Sequence, residues 1–386
     1  MNRPIRVAQV ATAAMSVRYL LLDHIQRLLA EGYEVEAICA DDESLALVER
    51  QGIVVRRIPF EREPAPKADL RTIRALWSLF RERRYDVVHS HTPKAGLLAP
   101  VAAQLARVPV VLHTVHGLLF HDRSTWKEKL LGGACELWSA TFSDRLLSQS
   151  QEDIGVIRRF HLKKPELVDL IGNGIDVSRY HPNVRRDVRA HVRAELGIKD
   201  DEVIVGMVGR LVREKGFVEF HAAMKEVMRH RPQVRALIIG AEEIGQSDAL
   251  TRSSFRSDLD PSRVIWLGHR NDLPRVYSAM DVFALPSYRE GIPRTLMEAS
   301  AMGLPVVATN IRGCREVAPN EETGLLVEPR QVPELARAIG RLADDPALRA
   351  RLGAAGRDRI VAQFNSVVVL DRLAAYYRRI VGEPGV

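Results

Sequence analysis

Cysteine is scarce in this chain, and its scarcity argues against two classes of protein. Cys39, Cys135 and Cys314 are the only three among 386 residues, and they lie far apart. An odd number at such spacing indicates neither a disulfide framework nor a zinc site built from paired cysteines. A reducing compartment is therefore expected, and the cytoplasm is the simplest choice.

A long unbroken hydrophobic run is also missing. Residues 95–121 contain one charged residue, Arg107, and are long enough to span a bilayer, but Pro100, Pro109 and Gly117 interrupt them. These residues favour a helix, a turn and a buried strand. The apolar N-terminus resembles a signal peptide but is expected to form a first strand and a first helix.

Basic residues only slightly outnumber acidic residues. The chain has 56 Lys and Arg against 49 Asp and Glu, a net charge of +7, and the excess is spread over both halves. This balance suits an anionic ligand or an anionic membrane surface. No basic run stands beside stacking aromatic residues, so nucleic-acid binding is not expected.

What the sequence does contain is a regular alternation of short apolar runs and amphipathic stretches, which predicts parallel sheets covered by helices. A Gly- and Pro-punctuated segment at 172–183 separates two such patterns and predicts two α/β domains: 1–174, completed by a helix at about 366–386, and 175–365. Two doubly wound sheets of this kind bind ligands in a cleft at the carboxyl ends of their strands. The predicted strands are 5–11, 33–40, 54–60, 86–91, 108–116, 145–150, 166–171, 203–209, 234–240, 264–268, 281–286, 305–310 and 324–328.

The segment 281–316 carries the densest set of polar groups. A buried strand leads into Glu290-Gly291, and Pro293 is predicted as the first residue of a helix that contains Glu298. The free amides of such a helix start bind phosphate, and carboxylates accept hydrogen bonds from sugar hydroxyls. A capped surface helix is the alternative, which the apolar neighbours of Glu298 disfavour.

A second cluster, Gly209 to Gly216, directly follows the strand 203–209. Arg210 and Lys215 in this cluster are predicted to stand at a helix start, where two cations clamp a diphosphate and neutralise charge on it as it departs. Taken alone, the cluster is also typical of a solvated basic loop.

The two clusters, in this order and spacing, resemble glycosyltransferase family 4, the retaining family with the GT-B fold. HTPKAGLLAP at 91–100, HTVHG at 113–117 and LPSYREGIPR at 285–294 resemble its capsule, O-antigen and glycan-assembly branch. The resemblance covers nearly the whole chain. It implies two Rossmann-like domains facing each other across a cleft, a nucleotide-diphosphate sugar donor, most often a UDP-sugar, and a C-terminal crossover helix within 366–381.

The resemblance also implies roles for individual residues. The loop at 12–16 has no glycine where many family members carry them, so it departs from the family pattern. The expected catalytic residues are Glu290, His116, Arg210 and Lys215; the donor-binding residues are Arg210, Lys215, Glu290, Gly291, Ile292, Arg294, Thr295, Leu296 and Glu298; and the acceptor-side residues are Ser16, His91 and Lys94.

No metal and no other cofactor are expected. His89 and His91 share one face of a strand but have no third ligand at a recognisable spacing. Asp258-Leu259-Asp260 resembles an Asp-x-Asp metal motif, yet it lies in a polar segment before Pro261 and favours a turn.

The acceptor expected from the resemblance is a polyprenyl-diphosphate-linked saccharide, with the protein peripheral on the inner face of the cell membrane. The basic helix 71–84 and the aromatic-rich segment 118–142 are the candidate membrane surfaces, although packing on the sheet also explains the apolar residues of the first. The alternatives are a nucleotide-sugar epimerase of the same fold, a soluble small-molecule glycosyltransferase and a silent binding subunit. A dinucleotide-dependent oxidoreductase lacks its glycine fingerprint here.

Overall fold

The computed structural model describes residues 3–61, 63–242, 248–255 and 260–382. The chain divides into two compact units, Met1–Gly172 with Val368–Val386, and Asn173–Val367. The sequence-based boundary, 174/175, lies two residues later, and the assignment of acceptor and donor to the two domains stays a prediction. Asp258 and Leu259 lie outside the described residues.

The first unit is built on a seven-stranded parallel sheet in the order β3-β2-β1-β4-β5-β6-β7. Its two apolar faces are covered by helices, which is why its strands are rich in valine, leucine and isoleucine. The strands are β1 (Arg6–Ala13), β2 (Glu34–Ala40), β3 (Val54–Arg57), β4 (Val87–Ser90), β5 (Val110–Val115), β6 (Arg145–Ser148) and β7 (Val168–Leu170). The helices are α1 (Ala14–Ser16), α2 (Leu22–Ala30), α3 (Leu45–Glu49), α4 (Pro66–Arg83), α5 (Pro93–Ala106), α6 (Trp126–Phe142), α7 (Gln151–Arg159) and, in the second unit, α8 (Pro182–Glu195).

The second unit has a six-stranded parallel sheet in the order β10-β9-β8-β11-β12-β13. Its strands are β8 (Val203–Val208), β9 (Val234–Ile239), β10 (Val264–Gly268), β11 (Val282–Leu285), β12 (Val306–Thr309) and β13 (Gly324–Val327). Its other helices are α9 (Phe217–His230), α10 (Leu273–Ser278), α11 (Arg294–Ala301), α12 (Cys314–Val317), α13 (Val332–Asp344) and α14 (Pro346–Gln363), and α15 (Ser366–Val381) carries the chain back to the first unit.

The thirteen predicted strands and the predicted doubly wound sheets are confirmed. The predicted first helix differs at its start, since Val17–Leu21 forms a wider π-helical turn before α2. In the first unit the basic helix is α4, and its apolar side chains Leu76 and Phe80 are buried in the core. Among the described residues, no helix combines the length and apolar character needed to cross a bilayer.

Candidate functional site

Each sheet has one point where the strand order reverses, and the predicted site residues follow the strands at these points. The reversal lies between β1 and β4 in the first unit and between β8 and β11 in the second. Chains leaving neighbouring strands in opposite directions open a crevice at their carboxyl ends. Arg210 and Lys215 follow β8, and Glu290 follows β11, so this edge of the second sheet gathers them.

The loop after β8 is a tight turn and not the direct start of a helix. Arg213–Lys215 forms a short 3-10 turn, Gly216 follows with φ of 79°, and α9 begins at Phe217. Lys215 therefore directly precedes the N-cap of α9, close to the predicted helix start, whereas Arg210 lies seven residues before the helix. Arg210 is exposed, whereas Lys215 is half-buried.

Lys215 and Glu290 contact each other. The Lys215 ammonium donates to Glu290 Oε1 at 2.7 Å, and the two side chains are 19% and 10% exposed. Each group therefore neutralises the charge of the other in a partly buried environment, where charge-assisted hydrogen bonds are strong. Two residues that are 75 positions apart thus form one polar centre at the carboxyl edge of the second sheet.

Glu298 lies inside α11 and is buried, as its apolar neighbours predict. The Tyr277 hydroxyl donates to its Oε2 at 3.1 Å. Burial raises the pKa of Glu298 above its usual value, while the charge of Arg294 and hydrogen bonds from Tyr180 and Tyr277 lower it. The carboxylate thus accepts hydrogen bonds from two tyrosine hydroxyls, and it is a group of the kind that also accepts from the hydroxyls of a diol.

Helix α11 begins one residue later than predicted. Pro293 is the N-cap and Arg294 the first helical residue, and no described side chain caps the first turn. The amides of Arg294, Thr295 and Leu296 are the donors that a helix start leaves without an internal partner. Gly291 and Ile292 lead into this turn, so the predicted cradle is continuous along the chain.

Gly313 fixes the backbone of this cradle from the other side. It has φ of 75°, and a Cβ atom there would lie 1.5 Å from the carbonyl oxygen of Gly291. Only glycine is compatible with this approach, because the obstacle is backbone and cannot rotate away. Gly313 was not among the predicted site residues, although a glycine in the turn between β12 and α12 is a typical sign of a close backbone approach.

We expect Gly313→Ala to lower transfer activity at least about 100-fold by displacing Gly291, since a shift of about 1 Å in a site has that effect. The free energy of unfolding should fall by about 1–3 kcal/mol, the usual cost of overpacking. Gly197→Ala is the matched control, since Gly197 has φ of 61° and no described atom outside its neighbours within 4 Å. Equal activity of the two variants would show that the Gly291 contact is not needed for transfer, and an equal loss of unfolding free energy would assign the destabilisation to positive φ alone.

In the first unit, His116 follows β5 and contacts His91, which follows β4. His91 Nδ1 and His116 Nε2 are 3.1 Å apart. Burial and the neighbouring His24 and His113 lower the pKa of His116 to about 3, while a hydrogen bond with Gln149 acts in the opposite direction. Both rings are therefore neutral at pH 7, and each is a donor at one nitrogen and an acceptor at the other.

The other two predicted acceptor-side residues, Lys94 and Ser16, differ in their hydrogen-bond partners and in their exposure. Lys94 donates to Asp69 Oδ2 at 2.7 Å and to the Glu63 carbonyl, and its side chain is 11% exposed. Ser16 is half-buried in α1, directly after β1. The glycine-free segment 12–16 is not a loop but the end of β1 and the whole of α1, and its Met15 amide donates to Asp42, so that backbone donor is already used. The structure thus brings His91 and His116 together but commits Lys94 to an internal ion pair.

The histidine pair that resembled a metal site has other partners. His89 contacts Tyr377 and Thr114, and both ring nitrogens of His91 are likewise in hydrogen bonds. Within the described part of the chain, no three His, Cys, Asp or Glu side chains are arranged to hold a metal ion.

Comparison with known proteins decides the family. Residues 17–179 match the profile of Glycosyltransferase Family 4, and residues 188–359 match that of Glycosyl transferases group 1. The chain belongs to glycosyltransferase family 4. It is 29% identical over 380 residues to the Escherichia coli UDP-Gal:alpha-D-GlcNAc-diphosphoundecaprenol alpha-1,3-galactosyltransferase, covering 97% of this chain and 96% of that protein.

Two further comparisons agree with the predicted branch and fold of this glycosyltransferase. It is 26% identical to the capsular polysaccharide biosynthesis glycosyltransferase CapM of Staphylococcus aureus, covering 98% of each chain. The crystal structure of Anabaena Alr3699/HepE in complex with UDP-glucose superposes with a TM-score of 0.80 at 22% identity, covering 97% of this chain and 100% of that one. The GT-B fold class is thereby confirmed, and the enzyme acts on nucleotide sugars as a glycosyltransferase.

Proposed function

We propose that this glycosyltransferase moves a hexose-type sugar from a UDP-sugar to a polyprenyl-diphosphate-linked saccharide, with retention of anomeric configuration and without a metal ion. The observation that carries the proposal is the polar centre of Lys215 and Glu290 at the carboxyl edge of the second sheet, which is followed along the chain by the buried Glu298 of α11. It combines cationic, carboxylate and backbone donor groups, which are the partners that a nucleotide-diphosphate sugar requires.

In this proposal the second unit binds the donor through three kinds of contact. Lys215 and Arg210 bind the diphosphate, the amides at the start of α11 cradle its distal phosphate, and Glu298 accepts hydrogen bonds from the ribose hydroxyls. Glu290 contacts the transferred sugar, and His116 is the residue that the first unit offers to a substrate hydroxyl. Each group meets a part of the donor that its chemistry favours.

The chemical step breaks the bond between the anomeric carbon and the diphosphate oxygen and forms a bond to an acceptor hydroxyl oxygen on the same face. The acceptor proton leaves with the departing diphosphate, whose negative charge Arg210 and Lys215 neutralise. Two cationic side chains take the place that a divalent ion occupies in metal-dependent transfer, which is why metal independence is proposed.

Support for the acceptor comes from relatives. The Escherichia coli relative is named for a diphosphoundecaprenol-linked acceptor and UDP-Gal, and the similarity extends over 97% of this chain. A small soluble acceptor is the remaining alternative, and an epimerase of the same fold is not favoured because the relatives described above are transferases.

The test is a product assay with purified protein, a panel of UDP- and GDP-sugars and a synthetic polyprenyl-diphosphate-linked sugar, run with and without EDTA. We expect transfer from one UDP-sugar, unchanged by EDTA, with the donor's anomeric configuration kept in the product as read by NMR. A product with inverted anomeric configuration would contradict the retaining mechanism. Turnover that EDTA abolishes and manganese restores would contradict metal independence. Epimerised nucleotide sugar without transfer would favour the epimerase.

We further propose that the first unit docks on an anionic bilayer, chiefly through α6. Trp126, Leu130 and Leu131 on this helix are 70%, 68% and 70% exposed, and Lys127 and Lys129 lie among them. Exposed apolar side chains in one helix, flanked by cations, match the interfacial region of an anionic membrane. The basic helix α4 contributes charge, since Arg71, Arg74 and Arg81 are exposed while Leu76 and Phe80 pack inward.

Liposome co-sedimentation tests the docking surface, with anionic and neutral vesicles at low and high salt. A Trp126→Gln/Leu130→Gln/Leu131→Gln variant should lose binding at both salt concentrations. An Arg71→Glu/Arg74→Glu/Arg81→Glu variant should lose mainly the salt-sensitive part, since each basic residue near the surface contributes about 1 kcal/mol. Negligible binding of the unaltered protein to every vesicle would remove the membrane proposal and make a soluble acceptor the better one.

A further inference from the structure

A chain of buried hydrogen bonds runs through the first unit and ends at His116. His91 bridges two of its members, with Nδ1 3.1 Å from His116 Nε2 and Nε2 2.6 Å from Gln9 Oε1. The Gln9 amide donates in turn to the Tyr377 hydroxyl at 2.9 Å. Gln9, His91 and Tyr377 are each 1% exposed. Tyr377 on α15 is therefore connected to His116 through buried side chains.

The chain of hydrogen bonds continues from Tyr377 to His89, whose ring packs against that of His91. The Tyr377 hydroxyl and His89 Nδ1 are 2.7 Å apart, and His89 Nε2 lies 2.6 Å from Thr114 Oγ1. Burial lowers the pKa of both His89 and His91 well below the usual value. Both imidazoles are neutral, so each carries one proton, and every bond in the chain constrains the next.

The direction of the protons follows from the Gln9 amide. Because Gln9 Oε1 only accepts, His91 must carry its proton on Nε2, and its Nδ1 is then an acceptor. His116 must therefore donate from Nε2, which leaves Nδ1 of His116 as the nitrogen with the lone pair. The position of the proton on His116 is thus set, through His91, by Gln9, which does not contact His116.

Rotating the Gln9 amide by half a turn would exchange donor and acceptor in every hydrogen bond of the chain. The His116 proton would then lie on Nδ1. The Tyr377 hydroxyl opposes this reversal. In the observed direction the phenol donates to His89 Nδ1, and a phenol hydroxyl is a better hydrogen-bond donor than a neutral imidazole N–H. In the reversed direction, an imidazole N–H would have to donate to the phenol oxygen, which is a poorer match of donor and acceptor.

We propose that Tyr377, Gln9 and His91 are positioning residues that hold His116 in the Nε2–H tautomer, so that its Nδ1 accepts a hydrogen bond from a substrate hydroxyl. The catalytic consequence rests on the proposed function, whereas the tautomer is a property of the free protein. The C-terminal helix α15 therefore contributes to the chemistry of a residue more than 250 positions earlier, through one hydroxyl group.

Tyr377→Phe tests the proposal, because it removes that hydroxyl and keeps the ring. The Gln9 amide then loses an acceptor inside the protein, and since buried N–H groups are rarely left unpaired, rotation toward His91 becomes favourable. One hydrogen bond corresponds to about a tenfold change in an equilibrium. We expect the His116 tautomer to shift toward Nδ1–H, and kcat to fall about tenfold with little change in KM for the nucleotide sugar.

The readout is ¹⁵N NMR of histidine-labelled protein without substrate, with His116 assigned from a His116→Gln variant. Tyr376→Phe is the matched control, because Tyr376 is the adjacent buried residue of α15 but interacts with Asp169 and not with Gln9. It should leave the tautomer and kcat unchanged. A wild-type His116 protonated on Nδ1, or an unshifted tautomer in Tyr377→Phe, would overturn the proposal. A shifted tautomer with unchanged transfer would keep the hydrogen-bond chain and remove the proposed role of His116.

Discussion

Glu290→Gln is expected to bind nucleotide diphosphates more tightly than the unaltered protein, while transfer falls about 100- to 1000-fold. In the free protein Glu290 occupies the Lys215 ammonium at 2.7 Å, so it competes with the diphosphate for the same cation. Removing its charge frees Lys215, and we expect a gain of about 1–2 kcal/mol in affinity for UDP. Transfer falls because the carboxylate that contacts the sugar in the proposed mechanism is lost.

Lys215→Ala and Arg210→Ala should move the affinity in the opposite direction. Each is expected to weaken binding of UDP and of the donor by about 1.5–3 kcal/mol, the range for hydrogen bonds to charged groups. In the Lys215→Ala background, Glu290→Gln should no longer tighten binding, because the competition has been removed. Isothermal titration calorimetry of the single and double variants measures this coupling directly.

The control for net charge is Glu214→Gln. Glu214 is a neighbouring carboxylate in an ion pair with Arg289, and its removal changes the protein charge by the same amount. It should leave UDP affinity nearly unchanged. If Glu214→Gln tightens binding as much as Glu290→Gln does, the effect is a general attraction of anions and the competition for Lys215 is refuted.

Asp281→Asn is expected to destabilise the second unit by about 3–5 kcal/mol, the usual effect of breaking a buried ion pair. Asp281 accepts hydrogen bonds from Arg189 at 2.6 Å and from Arg193 at 3.3 Å, and the Arg193 side chain is 4% exposed. Burial lowers the pKa of Arg193, against the nearby Asp281 charge. Without the carboxylate, a buried guanidinium would lack its counter-charge.

Urea denaturation followed by circular dichroism measures the loss. Asp344→Asn is the matched control, because Asp344 pairs with Arg231 at the surface, where the Asp344 side chain is 52% exposed. An exposed pair contributes about 0–1 kcal/mol, so this variant should unfold at nearly the same urea concentration as the unaltered protein. Similar midpoints for the two variants would mean that Asp281 is not the counter-charge that holds Arg193.

The fold could be predicted from the sequence because its strands are short, apolar and separated by strong turn signals. The runs 203–209 and 234–240, for example, end in glycine and are too apolar for a surface strand, and both are buried in the second sheet. The ends of the strands follow less directly from the sequence than the strands themselves, since a strand end is set by its hydrogen-bonded partner. Pro293 illustrates the same point for helices: its sequence signal is right, but the helix begins one residue later.

The candidate site could be predicted in composition but not in contacts. The sequence indicated Lys215 and Glu290 separately, and their direct contact depends on how two loops leave adjacent strands. Lys94 was predicted on the acceptor side, and its ion pair with Asp69 joins α5 to α4, which no local pattern shows. The His89 and His91 pair resembled a metal site because the partner that completes it, Tyr377, is nearly 290 residues away.

The return of α15 to the first unit has a consequence for protein synthesis. Residues 1–172 leave the ribosome first, but Tyr377 and the rest of α15 follow only after the whole second unit, residues 173–367, has been translated. At about 5–20 residues per second this delay is about 10–40 s. Throughout that time Gln9 and His89 are without the hydroxyl that joins them, and the apolar groove that Leu373 later fills is open. The core of the first unit is thus completed only after translation of the second.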